Sequence, residues 1–273
     1  AAGAKEFCPL GSGALSGSTL PLDRKIACAA LGFRQPSRNA MDAVGSRDGA
    51  LDVAHAFVRA VATASRMCEE LIVWCTPAFG YVRLGDEAST GSSLMPQKRN
   101  PDPLELVRAT AADLAGRYAG AVASSAAIGF SYHRDLQVTK AILIGIIERG
   151  LAALDAFERA LAHVHFYRER MTALAGQNNT VATDVADALI AAGMAAREAH
   201  SAVGEAVGRA EDEGRALDAT DVQRMAEEFE LSGVAAPLDA RASVFAKKTS
   251  GSTHPEEVER ALGTLRRDLE AAS

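Results

Sequence analysis

The sequence is poor in cysteine and in aromatic residues, and it contains no long apolar run. It has four cysteines in 273 residues, and none of them forms a C-x-x-C pair. Zinc knuckles and dithiol redox motifs are therefore not indicated. Cys68 and Cys75 have the spacing of two residues on one face of a helix, so we expect the thiols to be free and packed in a core.

No segment is apolar enough to cross a membrane. The longest apolar run, 141–147, is much shorter than the roughly 20 residues that a spanning helix needs. Glu148 and Arg149 follow it directly, and the chain does not open with a signal-peptide pattern. We therefore expect a cytoplasmic protein without a membrane partner.

Clustered positive charge is also missing. Lysine and arginine total 29 against 35 acidic residues, which gives a net charge of −6. This balance argues against nucleic acid as a partner, although a small anionic substrate needs only a local basic pocket. The spacings of zinc and calcium ligands and of nucleotide-binding glycine loops are absent as well. The sequence therefore predicts neither a metal nor a cofactor.

What the sequence does contain is long amphipathic helix. Apolar residues recur at alternating spacings of three and four over 47–75, over a segment that opens at 102–103, and over about 135–164. We expect Asp48 and Asp102 to cap the first two of these helices. The predicted inward residues are Phe57, Val61, Ala64, Cys68, Leu71 and Cys75, then Leu104, Val107, Ala111, Leu114, Tyr118 and Val122, then Leu143, Ile147, Leu151, Leu154 and Leu161.

The pattern predicts an all-α fold in two parts. The first, 1–168, is a long-helix bundle without strands, and the second, 169–273, is a smaller C-terminal helical domain. Shorter helices are expected in the second part at 180–192, 195–213, 221–229 and 256–271. Segments 1–46, 77–102 and 124–134 are predicted loops, and the first two are longer than simple connections, which is typical of functional loops.

The loop 90–102, T-G-S-S-L-M-P-Q-K-R-N-P-D, carries the strongest chemical signal. It holds hydroxyls, two cations and an amide, and it runs into a helix N-terminus that favours negative charge. Lys98 and Asn100 are positioned to face one anionic group, with Ser92 near them as a proton-transfer candidate. From the chemistry alone, a solvated surface loop is the favoured interpretation.

The stretch from Gly91 to Pro101 resembles the signature of the fumarase/aspartase superfamily. Gln97 and Asp102 are typical of the argininosuccinate lyases within it. Further blocks are similar to the same family in the same order: 8–14, 21–24, 39–48, 132–140, 182–189 and 197–200. Two departures occur, since Val138-Thr139 replaces an acidic pair and Arg99 replaces a frequent lysine.

The resemblance implies a fold, an activity and residue roles. It implies a bundle of the fumarase/aspartase type that splits argininosuccinate into arginine and fumarate by β-elimination in arginine biosynthesis, as a homotetramer. Ser92 matches the catalytic serine, Lys98 and Asn100 the residues that hold the substrate carboxylate, and Glu105 the acid that pairs with an active-site histidine. The matching substrate-binding positions are Tyr132, Gln137 and Lys140.

The resemblance also implies that parts of the site are absent from this sequence. The family assembles each active site from three segments of three subunits. A serine- and asparagine-bearing segment and a Thr-His-x-Gln-like segment are not found here, and none of the six histidines lies in such a context. We therefore expect a chain that lacks the family's N-terminal portion and is incomplete for activity alone. Another lyase of the superfamily, adenylosuccinate- or fumarase-like, and a non-catalytic structural relative remain open alternatives.

Overall fold

The computed structural model describes residues 6–91, 93–126, 128–177 and 179–272. The chain divides into two compact units, the first ending at Phe166 and the second beginning at Tyr167. Within the described residues the secondary structure is eleven α-helices and six strands of two or three residues. The predicted all-α class is confirmed.

The first unit opens with short elements where one long loop was predicted. They are β1 (Phe7–Cys8), α1 (Arg24–Ala30), β2 (Gln35–Pro36) and α2 (Ala40–Gly45), and β1 pairs with β2 in parallel. Arg24 holds this segment together, because its guanidinium donates hydrogen bonds to the carbonyl oxygens of Leu10, Cys8 and Ser37. The prediction of a loop over 1–46 was wrong because helices of six or seven residues are too short to show a period.

Three long antiparallel helices form the body of the first unit. They are α3 (Asp48–Cys75), α4 (Asp102–Ala126) and α5 (Leu136–Ala162). One apolar cluster joins Ala64, Cys68 and Leu71 of α3 to Leu104 and Val107 of α4. A second cluster fills the other half of the bundle, with Ala54, Val61, Leu114, Ala121, Leu143, Ile146 and Ala153. The predicted long-helix bundle is therefore present.

Some predicted details of these helices are wrong. Val122, Leu151 and Leu161 are exposed, although the apolar pattern placed them inward. In α5 the buried face instead carries Leu136, Thr139, Leu143, Ile146, Gly150, Ala153 and Ala160. The helix α3 has Arg47 at its cap position, and Asp48, the predicted cap, is its first helical residue. The backbone amide of Asp48 donates a hydrogen bond to the Ser46 hydroxyl oxygen at 3.2 Å.

Short strands connect the long helices, contrary to the prediction that strands are absent. They are β3 (Val82–Leu84), β4 (Thr90–Gly91), β5 (Arg99–Asn100) and β6 (Val164–Phe166), with a 3-10 turn at Asp86–Ala88. The strand β3 pairs antiparallel with β6, and β4 pairs antiparallel with β5. Strands of two or three residues carry too few side chains to show an alternating pattern.

The four cysteines are free, as predicted, and all except the half-buried Cys75 are buried. Burial raises the pKa of the Cys68 thiol to about 11, against the smaller opposing effect of Arg108. Burial also raises the pKa of Cys75. At neutral pH these two thiols are therefore protonated packing groups on one helix face.

The second unit is a separate helical body. It contains α6 (Arg168–Ala175), α7 (Ala182–Ala191), α8 (Ala196–Asp212), α9 (Ala219–Glu228), α10 (Ala240–Ala246) and α11 (Pro255–Ala272). Its core is formed mainly by α7, α8 and α9, with Val185, Leu189, Met194, Ala199, Val203, Ala206, Ala210, Leu217, Val222 and Met225.

Two buried carboxylates tie the second unit together. Asp221 accepts two hydrogen bonds from the Arg215 guanidinium, at 2.5 and 3.1 Å. Asp184 accepts from Ser243 at 2.5 Å and from the Lys247 ammonium at 2.6 Å, which links α7 to α10. Because each buried charge is paired, neither carries the desolvation penalty of an isolated ion. No helix in the described part of the chain has the length and hydropathy of a membrane span.

Candidate active site

The signature loop is a closed hairpin that leads directly into α4. Its base is the β4–β5 pair, in which Thr90 faces Asn100 and Gly91 faces Arg99. The Thr90 hydroxyl donates a hydrogen bond to Asp102, at the start of α4. Arg99 forms an ion pair with Asp86 in the preceding turn. These contacts fix both ends of the loop against the first turn of a long helix.

The predicted carboxylate-binding pair lies at one end of this hairpin. The Lys98 side chain is exposed and that of Asn100 is half-buried. Neither side chain forms a hydrogen bond or ion pair with another described residue, so both are available to a ligand. The amides of the first turn of α4 add partial positive charge at the same place. Ser92, the predicted catalytic serine, lies outside the described residues.

Glu105 lies on the first turn of α4 and is exposed. It lines an open cavity of about 470 Å³ with Asp102, Leu106, Arg108 and Ala109. Arg108 binds Glu69 of α3, and that contact raises the pKa of the guanidinium. The cavity has no histidine in its lining, so the partner that the family resemblance implies for Glu105 is not supplied there.

Tyr132, Gln137 and Lys140 form a second group before and on the first turn of α5. The Gln137 amide donates a hydrogen bond to the Tyr132 hydroxyl at 3.4 Å. Gln137 and Lys140 are three residues apart, so they lie on one helix face, and all three side chains are exposed. The structure therefore brings these three predicted residues together.

A close backbone contact positions this second group. A Cβ atom added at Gly45 would lie 2.6 Å from the carbonyl oxygen of Ser131 and 3.0 Å from its nitrogen. Glycine is needed at position 45 because any side chain there would push away the segment that precedes α5. Ser131 itself has a φ of 88°, a strained value for a residue with a side chain. The strain lies directly before Tyr132.

The two predicted groups lie at opposite ends of the bundle. The end of α4 meets the start of α5, where the Ser124 and Thr139 hydroxyls are 2.8 Å apart. The start of α4 meets the end of α5, where Leu104 and Val107 share a cluster with Ala160. With 25 residues at about 1.5 Å each, α4 separates the groups by roughly 37 Å. One chain therefore does not bring Lys98 and Asn100 to Tyr132 and Gln137.

Sequence reasoning missed two features near the second group. Thr139 is fully buried and pairs with Ser124, where the family usually has an acidic residue. A cavity of about 610 Å³ lies at the start of α3, and Arg38, Asn39, Asp42, Arg47 and Asp48 are among its lining residues. The resemblance at 39–48 pointed to this segment, but its pattern did not predict that these residues enclose a space.

Comparison with known proteins shows which families and folds the chain resembles. A family model described as "Lyase" matches residues 4–116, and one described as "Argininosuccinate lyase C-terminal" matches residues 179–245. An EDDS lyase variant with bound fumarate has a similar structure, with a TM-score of 0.81 and 26% identity, over 97% of this chain and 55% of that one. A class II fumarase from Schistosoma mansoni has a TM-score of 0.61 at 13% identity, over 82% of this chain and 49% of that one, and shows the fold alone.

The fold and the two model matches define the class of the protein: the chain belongs to the fumarase/aspartase superfamily of lyases. Within that superfamily it is a homologue of the argininosuccinate lyases. It is 38% identical to the argininosuccinate lyase of Acidothermus cellulolyticus over 269 residues, which is 96% of this chain. The chain spans about 55% of the length of that relative.

Proposed function

We propose that the chain provides the signature-loop part of an argininosuccinate lyase, which converts argininosuccinate to arginine and fumarate. The observation that carries the proposal is the closed hairpin 90–102, which presents Lys98 and Asn100 at the N-terminus of α4 without partners in the described chain. The substrate that we propose is taken from the name of the related argininosuccinate lyase described above. The EDDS lyase variant named with bound fumarate supports a fumarate-releasing reaction.

In the proposed reaction, the Ser92 oxyanion removes a proton from the substrate carbon next to a carboxylate. The electron pair moves into that carboxylate, and the resulting dianion is stabilised by the Lys98 ammonium and the Asn100 amide. Collapse of this intermediate forms the double bond of fumarate and breaks the carbon–nitrogen bond. The departing guanidino nitrogen takes up a proton to complete arginine. A serine is a weak base at neutral pH, so the loop must bring Lys98 close to it and exclude water.

Glu105 is proposed to pair with an active-site histidine that this sequence does not contain. The cavity beside Glu105 is open, which leaves room for a segment from elsewhere to enter. A carboxylate next to a histidine raises its pKa and makes it a stronger base. Tyr132, Gln137 and Lys140 are proposed to bind the remainder of the substrate.

We propose that the complete site forms between copies in a homotetramer. The separation of roughly 37 Å between the two groups supports this arrangement, because it is far longer than argininosuccinate. An interface is available on α5, where Ile144 and Leu151, seven residues apart, lie on one face of the helix and are exposed. Apolar faces of this kind are typical of protein–protein contacts.

A complementation assay tests the proposal. The full-length Acidothermus enzyme, with the serine aligned to Ser92 replaced by alanine, is co-expressed with this chain, and fumarate release is followed by ultraviolet absorbance. We expect activity with the unmodified chain and a loss of at least about 100-fold with its Ser92→Ala variant, since a general base contributes 10²–10⁴-fold. The matched control is Ser93→Ala. Equal activity with the Ser92→Ala variant would contradict the assignment of the base.

A further inference from the structure

The last helix, α11, carries an apolar stripe that nothing in the described chain covers. Val258, Leu262, Leu265 and Leu269 are 44%, 50%, 55% and 63% exposed. Their spacings of four, three and four residues place them on one face, with the period of a coiled-coil seam. Apolar side chains in this arrangement indicate a missing packing partner.

Near its start, the helix is linked by hydrogen bonds to the segment that precedes it. The amide of Gly251 donates to Glu257 at 2.8 Å, and Arg260 donates to the Ser250 hydroxyl at 3.1 Å. Among the described side chains of α11, none is buried. Isolated helices of this length are marginally stable in water, so a partner along the stripe would stabilise α11.

The stripe is complementary to itself when two copies run in opposite directions. With the two middle leucines aligned, Leu262 of one copy faces Leu265 of the other, and Val258 faces Leu269. In this alignment, every apolar residue of the stripe lies opposite an apolar residue of the other copy. A parallel pair would also align apolar residues, so the seam alone does not decide the direction.

Charged residues beside the seam decide whether the two helices run parallel or antiparallel. Glu259 and Arg266 are exposed, lie on the same side of the stripe, and form no ion pair within the described residues. In an antiparallel pair, Glu259 of each copy lies beside Arg266 of the other, which gives two ion pairs. In a parallel pair, Arg266 would lie beside Ala261 and find no opposite charge. The charge pattern therefore favours the antiparallel arrangement.

We propose that α11 is an interaction surface for a second copy of this chain, and that the two α11 helices pack as an antiparallel pair. The seam contains four apolar side chains in each copy. Their contact buries much less surface than a standard protein interface, which buries about 1,200–2,000 Å². The contact is therefore weak by itself, and it forms where other contacts or a high concentration bring the copies together.

Disulfide trapping in the full chain tests both the contact and its direction. Val258→Cys and Leu269→Cys variants are prepared separately, mixed at about 50 µM and treated with copper–phenanthroline. We expect a covalent dimer in the mixture, and only the wild-type background with either variant alone, because position 258 of one copy faces position 269 of the other. A dimer from Val258→Cys alone would show a parallel pair, and no dimer in the mixture would show that another partner covers the stripe. Either result overturns the proposal.

Charge exchange provides an independent test. Glu259→Arg and Arg266→Glu each place like charges opposite one another in a pair of identical copies. Mixed together, the two variants restore both ion pairs. Trapping through the added cysteines should therefore fall at least about threefold within each charge variant and recover in the mixture. Arg267→Glu, which changes the same charge outside the seam, is the matched control and should leave trapping unchanged. Unaltered trapping in the charge variants would contradict the antiparallel pairing.

Discussion

Gly150→Ala tests the crossing of α3 and α5 in the core of the bundle. Gly150 is buried in α5, and a Cβ atom there would lie 2.8 Å from Cδ1 of Phe57 and 3.2 Å from its Cβ. Alanine in place of glycine stabilises a helix interior by about 1 kcal/mol. Overpacking of a core contact opposes this by about 1–3 kcal/mol. We therefore expect a net loss of about 0–2 kcal/mol in the free energy of unfolding.

The matched control is Gly116→Ala on α4, where a Cβ atom would meet nothing within 4 Å. That variant should gain about 0.5–1 kcal/mol from helix propensity alone. Unfolding in urea is followed by the fluorescence of Trp74, the only tryptophan, which lies on α3 and reports the first unit.

A double-mutant cycle with Phe57→Leu isolates the contact. A smaller side chain at position 57 makes room for the new methyl group, so we expect a coupling of about 1–2 kcal/mol. If Gly150→Ala stabilises the first unit as much as Gly116→Ala does, the packing described for α3 and α5 is incorrect.

Three further predictions concern the site, the core of the first unit and the second unit. Gly45→Ala should raise the KM for argininosuccinate in the complementation assay, because the methyl group displaces the Ser131 backbone before Tyr132, which we propose binds the substrate; an unchanged KM would contradict this. Cys68, with a pKa of about 11, should resist iodoacetamide in the native protein at pH 8, where about one thiol in a thousand is ionised, and react after unfolding, as peptide mass spectrometry can measure. Arg215 lowers the pKa of Asp221, so this pair stabilises the second unit above about pH 4, and the stability is lost as the pH falls through the depressed native pKa. In hydrogen exchange, the difference between wild type and Asp221→Asn should therefore shrink below about pH 4; a pH-independent difference would argue against the ion pair.

The long helices could be predicted because their apolar residues repeat over about five turns in each. The choice of the inward face was less secure in α5, because this helix has two apolar faces and periodicity alone does not say which one is buried. Leu151 was assigned inward for that reason, and Leu161 lies at the end of the helix, while the structure uses Gly150 and Ala153 at the crossing with α3. Small residues give no hydrophobic signal, yet they allow the closest approach of helices.

The residue types proposed for the site come from the signature loop, but their arrangement could not be predicted from it. Lys98 and Asn100 precede α4, and Gln137 and Lys140 begin α5, so they are only about 40 positions apart in the sequence. Their distance in space depends on the antiparallel packing of α4 and α5, which the Ser124–Thr139 contact fixes at one end. The length of α4 then places the two groups far apart. The interaction between copies that we propose rests on this tertiary geometry rather than on any local motif.

The most direct test is a structure of the assembled protein with argininosuccinate or fumarate bound. We expect a substrate carboxylate about 3 Å from the Lys98 ammonium and the Asn100 amide of one copy, with Tyr132 and Gln137 of a different copy lining the same site. A ligand bound away from the hairpin 90–102, or held by both groups of a single chain, would contradict the account.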